Sequence, residues 1–133
     1  MAFNGYSSPE ICTRCGGACC KGLPGRCRPS DFGATRQEIE AALPAALETH
    51  YEEFDGEYVL PQRTLHGCVF LTPTGCTLPF ASRPYECRML EPREGDERCV
   101  RHADHYDYYV HAWRAFRELL RALRIMRREA LRR

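Results

Sequence analysis

The stretch CTRCGGACCKG, residues 12–22, places Cys12, Cys15, Cys19 and Cys20 within nine positions. Four thiols this close either pair as disulfides or serve a metal. Nine cysteines in a chain of 133 residues is an odd number, which complete disulfide pairing cannot use. The opening MAFNGYSSPE has no basic n-region and no long apolar run. No stretch approaches the roughly 18 apolar residues of a membrane span. The expectation is a cytoplasmic protein, where thiols stay reduced. Metal ligation is therefore the favoured reading, with a disulfide framework as the alternative.

At this length the chain is read as one domain, residues 1–133, with a modest core. Glycines at 16, 17, 22 and 25, with Pro24, make the cysteine-rich start irregular in backbone. Thr35 and Glu38 have capping-box spacing. Ile39, Ala42, Leu43, Ala46 and Leu47 then recur at helical intervals. The pattern predicts a helix from about Arg36 to Leu43, kinked or divided at Pro44 and resuming to His50. EYVLPQ reads as a short strand, and the wholly apolar CVFL as a buried one. With TPTG as a turn, CVFL and CTL suggest a hairpin holding Cys68 and Cys76 near its base. FASRPYECRML reads as a loop or the start of a short helix.

From about Asp104 the chain reads as one long helix, 104–133. Tyr106, Tyr109, Val110, Trp113, Phe116, Leu120 and Leu123 form its apolar stripe, expected to pack over the cysteine-bearing loops. The fold class expected is α+β: a small, loop-rich, metal-nucleated domain with a short β-hairpin and a long C-terminal helix.

Cys12 and Cys15 have the C-x-x-C spacing that lets two thiolates bind one ion from a tight turn. Successive side chains point in different directions, so Cys19 and Cys20 suit two metal centres, or two sides of a cluster, better than two corners of one site. Cys68, Cys76, Cys87 and Cys99 form a second group. Eight thiolates make two four-cysteine sites, and Cys27 is left over, read as a small buried residue. Two zinc ions or two [4Fe-4S] cores in their 2+ state would each leave about −4 to be offset. Arg14, Lys21, Arg26, Arg28, Arg83, Arg88, Arg98 and Arg101 lie near the cysteines in sequence.

CTRCGGACCKG, then PSDFG, then GCVFLTPTGCTLPFASRPYECRMLEP, resembles the YkgJ-like CxxCxxCC cysteine-cluster family, described as zinc- or iron-chelating. The resemblance spans about residues 10–100. It implies that Cys12, Cys15, Cys19, Cys20, Cys68, Cys76 and Cys87 are metal ligands. Cys99 is the candidate eighth, in a context, DERCVRH, that matches less well. The first motif has one residue more between its second and third cysteines than the family's name specifies. A similar cluster occurs in flagellin lysine N-methylases, but no glycine-rich S-adenosylmethionine site accompanies it here. All-thiolate ligation suits zinc and iron alike. The irregular spacing and the adjacent pair favour an iron–sulfur cluster, with Zn2+ as the alternative cofactor.

Other residues are secondary candidates. His66, His102 and His105 could supply a ligand, and His111 lies nearby; a helix-start pair beside Asp104 and Asp107 is the plainer reading of His102 and His105. Arg83 and Arg88 bracket Cys87, either as charge compensation or an anion site, or as ordinary surface arginines. Residues 113–133 hold eight arginines and two glutamates, +6 of the chain's net +1, which leaves −5 elsewhere. Arginines 114, 117, 121, 124 and 128 follow helical spacing and read as a solvated face rather than a nucleic-acid site. Nothing in the order of residues matches a Ser-His-Asp triad, a P-loop or a dinucleotide fingerprint. The functions expected are electron transfer, metal or cluster handling, or an accessory role to a protein partner. A structural zinc module and a metal-dependent enzyme are the alternatives.

Overall fold

Thr35 opens the first helix, α1 (Arg36–Thr49). Its hydroxyl accepts from the Glu38 N–H at 3.2 Å, while Glu38 reaches back to the Ala34 N–H at 3.1 Å, one residue earlier than capping-box spacing places it. In this computed structural model the described residues are 24–65, 67–72, 75–88, 91–93, 96–100 and 105–132. Ile39, Leu43 and Leu47 form the buried face of α1. The helix does not divide after Leu43 but runs through Pro44. Pro44 and Glu40 are both exposed, so the Glu40 carbonyl that loses its i+4 donor faces water.

The expected strand is β2 (Tyr58–Pro61), and all four residues are buried. It pairs antiparallel with β1 (Tyr51–Phe54), in register from Tyr51↔Pro61 to Phe54↔Tyr58. β1 was not anticipated. The signal was present as Asp55-Gly56, whose φ values of 53° and 70° turn the chain between the two strands.

CVFL is not one strand. Cys68 ends β4 (Gly67–Cys68), which pairs with β3 (Arg63–Thr64), and Leu71 begins β5 (Leu71–Thr72), which pairs with β6 (Gly75–Cys76). Two ladders take the two ends of the segment: the Val69 N–H donates to Gln62 O at 2.9 Å, and the Thr77 N–H to Phe70 O at 2.8 Å. Cys76 therefore lies in the expected hairpin, opposite Leu71, and Cys68 lies outside it, opposite Arg63. Only Cys68 of the four is buried.

FASRPYECR forms a 3-10 turn (Phe80–Ser82) and the one-turn helix α2 (Tyr85–Arg88). A further antiparallel pair, β7 (Glu91–Arg93) and β8 (Asp96–Val100), was missed by the sequence reading.

The long C-terminal helix is two helices, α3 (His105–Ala112) and α4 (Arg117–Leu131), joined by a 3-10 turn at Arg114–Phe116. No proline or glycine marks the break. Tertiary contacts hold it: Arg36 of α1 donates to the Ala115 carbonyl at 3.1 Å and lies over the Phe116 ring. The apolar stripe survives the break. Tyr109, Trp113, Phe116 and Leu120 are buried, and Val110 and Leu123 pack against them. Tyr106 is the exception; it is exposed and bonds the Glu57 carboxylate.

The core lies where α1, the β1–β2 hairpin and the α3–α4 stripe meet, and Cys27 is part of it. Cys27 is thus buried, as expected. The α+β architecture, with a small antiparallel hairpin region and a C-terminal helical arm, is also as expected. Among the described residues no helix is long and apolar enough to cross a membrane.

Candidate metal centre

Cys27, Cys87 and Cys68 are positioned by three chain segments. The first is 24–28, PGRCR, which forms neither helix nor strand; residues 24–27 are buried. A backbone placed there must find hydrogen bonds elsewhere. The Cys27 N–H donates to Val59 O of β2 at 2.8 Å, and the Cys27 carbonyl accepts from the Trp113 indole N–H at 2.8 Å. The apolar stripe thus does cover a cysteine-bearing loop.

The second segment is α2. Arg26 and Glu86 clip it to the first. The Arg26 guanidinium meets the Glu86 carboxylate through two bonds, Nε–Oε1 at 3.0 Å and Nη2–Oε2 at 2.6 Å. The backbones add Arg26 N to Glu86 Oε1 at 2.9 Å and Glu86 N to Arg26 O at 3.1 Å. Glu86 is fully buried and Arg26 nearly so. Burial alone would lower the Arg26 pKa, but the Glu86 hydrogen bond and charge outweigh it and raise it. The rings of Tyr109, Tyr58 and Tyr106 surround the guanidinium at 5.0–5.9 Å.

Asp31 makes a second clip. Its Oδ2 accepts from Arg28 N at 2.8 Å and from Tyr85 N at 2.9 Å, and its Oδ1 from Arg88 Nη2 at 3.0 Å. The Arg28 guanidinium lies 3.8 Å over the Tyr85 ring. Gly25 allows the two segments to touch: a Cβ there would stand 2.2 Å from Cys87 Sγ. The third segment is β4, where Gly67, at φ 116°, turns the chain into Cys68.

Cys27 and Tyr51 both lie within electrostatic reach of Cys68 and Cys87. Burial pushes the Cys27 thiol well up, and negative charge on Asp31, Cys87, Cys68 and Glu86 would push it further. The Tyr51 phenol is likewise raised, first by burial and then by Cys27, Asp31, Cys68 and Cys87. Cys76 is half-buried at the β6 end of its hairpin.

The other candidates are placed as follows. Cys12, Cys15, Cys19, Cys20, His66 and His102 lie outside the described residues. Cys99 is in β8, its backbone opposite Pro92. His105 begins α3, and His111 is exposed. Arg83 and Arg88 are not ordinary surface arginines. Arg83 is buried and donates to Leu78 O at 3.1 Å, and Arg88 is held by Asp31. The arginine face of α4 is largely solvated, as expected, with Arg124 near Glu53 and Asp55. The sequence reading missed Glu86 and Asp31, the two carboxylates that hold the thiol segments together. The repeated pattern of a charged residue on both sides of a cysteine, R-C-R and E-C-R, was the available signal.

The described cysteines are soft donors of the kind a thiophilic metal takes. Arg28 Nε and Arg88 Nε are buried N–H donors without an acceptor among the described residues, and each belongs to the residue that follows a cysteine in sequence, Cys27 and Cys87. Metal-bound thiolates take such donors. The donor set is not closed, since among the described residues no group of three or more His, Cys, Asp or Glu is arranged to hold an ion. No family model, curated protein or solved structure matches the chain.

Proposed function

We propose that the protein is a cysteine-cluster metal-binding protein, carrying an iron–sulfur cluster and serving electron transfer, metal or cluster handling, or a partner enzyme. The observation that carries the reading is the clipping of the Cys27 segment to the Cys87 helix, by Arg26 on Glu86 and by Asp31 on both Arg28 N and Arg88 Nη2. Soft thiol donors, held by hydrogen-bonded charged neighbours, are the combination that all-sulfur centres use. Cys12, Cys15, Cys19 and Cys20, and then Cys76 and Cys99, complete the ligand set in this proposal. The resemblance to the YkgJ-like family points the same way. When bound, the cluster would supply electron-transfer or Lewis-acid chemistry; the chain's own residues would anchor the sulfurs and keep water from them.

One observation favours a structural zinc centre as the second reading. The ladders β3–β4 and β5–β6 have two residues per strand and contribute only Cys68 to the buried apolar set. Strands this short have little to hold them apart from a cross-link.

Anaerobic purification with elemental analysis and a visible spectrum separates the two. Brown protein with iron and acid-labile sulfide is expected. Colourless protein with stoichiometric zinc would establish the structural module, and protein with neither metal would end both readings.

A further inference from the structure

The apolar stripe of the C-terminal arm does not end with the core. Phe116 and Leu120 are buried, and Leu123 is half-buried. Met126, Ala130 and Leu131 continue the stripe along α4 at helical spacing from Leu123. From Ile125 to Arg132 every residue is exposed, Met126 at 63% and Leu131 at 78%. Helical turns without packing of their own are marginal in water, so a covering partner would stabilise this end.

Leu123, Met126, Ala130 and Leu131 line an open groove of about 620 Å³, and Pro44 and Leu47 of α1 supply its opposite apolar surface. The two edges differ in charge. The α1–β1 edge carries Glu48, Glu52 and Glu53; the α4 edge carries Arg124, Arg127 and Arg128, with Glu129 as the exception. Part of this charge is used within the chain. Arg124 lies 3.6 Å from Glu53, and Glu52 holds Arg63 at 2.9 Å. Glu48 and Arg128, one on each edge, form no ion pair among the described residues. Arg127 donates to Leu47 O at 3.3 Å, which sets the neighbours Glu48 and Arg128 at the same level of the groove.

We infer that the groove is a self-association surface whose occupant is a second copy of this chain. Isologous contact requires a surface complementary to itself. A two-fold axis running along the groove meets this condition. It sets the arginine edge of each copy against the carboxylate edge of the other, with the apolar surfaces between them, and brings Glu48 of one copy to the partner's Arg128. A two-fold axis across the groove would set like charges together. The mixed edges disfavour other occupants. An anionic membrane suits a basic amphipathic helix, but Glu48, Glu52 and Glu53 would face its headgroups. A uniformly acidic protein would meet the same carboxylates. The inference does not rest on the metal reading, and neither falls with the other.

The test is sedimentation equilibrium of the full chain under anaerobic, reducing conditions, at concentrations up to roughly 1 mM, where even weak association registers. A monomer–dimer equilibrium is expected. Glu48→Arg and Arg128→Glu should each weaken it about tenfold by setting like charges together. The two changes in one chain should restore most of the wild-type affinity. Met126→Glu, at an exposed position, should abolish dimerisation while leaving circular dichroism and metal content unchanged. A chain that stays monomeric overturns the inference, and binding of that monomer to phosphatidylserine vesicles, lost in Met126→Glu, would give the groove to a membrane. A dimer indifferent to Met126→Glu places the contact elsewhere and overturns it as well. A double variant as weak as the single ones overturns the two-fold arrangement.

Discussion

At the scale of single residues, the Arg26–Glu86 pair is a central contact of the candidate site among the described residues. It joins 24–28 to α2 by four hydrogen bonds and stands in a ring of tyrosines. Pairs this buried are costly to break from one side, because the remaining charge has no water to turn to. Arg26→Ala removes the guanidinium from a carboxylate with no exposed surface, and is expected to cost about 3–5 kcal/mol in denaturant unfolding. Arg26→Met combined with Glu86→Leu should recover most of that loss, since the apolar replacements need no partner. A double variant as unstable as Arg26→Ala would show that the pair's geometry, rather than its charge balance, supports the fold. The two cysteine contexts were visible in the sequence as R-C-R and E-C-R, but which carboxylate meets which arginine was not. The pairing spans sixty positions and follows from how 24–28 and α2 are brought together.

At the scale of elements, α1 and the C-terminal arm show propensity and tertiary context pulling in opposite directions. Pro44 should end a helix and does not, because its unbonded carbonyl partner lies on the solvated face. Nothing between Ala112 and Arg117 should end a helix, yet the chain tightens into a 3-10 turn there. Arg36 takes the Ala115 carbonyl, and the Trp113 indole takes the Cys27 carbonyl. The stripe remained legible because Tyr109, Trp113, Phe116 and Leu120 are three or four apart, a spacing either helix type keeps on one side. Pro44→Ala restores the missing i→i−4 bond on an exposed face, and is expected to stabilise the protein by up to about 3 kcal/mol in the same unfolding measurement. No gain would mean that the segment has adapted its backbone to the proline. β1 escaped notice because its sequence, YEEF, is half acidic and reads as part of a polar helix end. Only its Asp55-Gly56 turn announced it.

At the scale of the whole molecule, the described residues divide into a part that buries apolar surface and a part that does not. The core draws on Cys27, α1, β2 and the α3–α4 stripe. Of the described residues between Arg63 and Cys76, only Cys68 joins the buried hydrophobic set. If a metal ties that region down, hydrogen exchange should separate the two parts. Amides of α1, β2 and α4 are expected to stay protected after chelation. Those of β3–β6, with Val69 and Thr77, are expected to exchange at least tenfold faster without metal than with it. Equal protection in both states would mean that the short ladders are held by packing alone, and would count against a metal in the fold.

The sequence by itself determined the elements whose cause is local: the Thr35 cap, the apolar faces of α1 and of the C-terminal arm, the strand Tyr58–Pro61 and the pairing of Leu71–Thr72 with Gly75–Cys76. It also marked the cysteines as the residues to explain. The tertiary structure alone decided that the Cys27 segment lies against the Cys87 helix, that Arg83 and Arg88 are not fully exposed surface charges, and that Glu86 and Asp31 hold those two segments together. The physical reason is one of range. Caps, periodicity and turns act over three or four residues and leave their pattern in the chain. Buried ion pairs and side-chain clips act between segments tens of residues apart, and exist only once the core has set the distance between them.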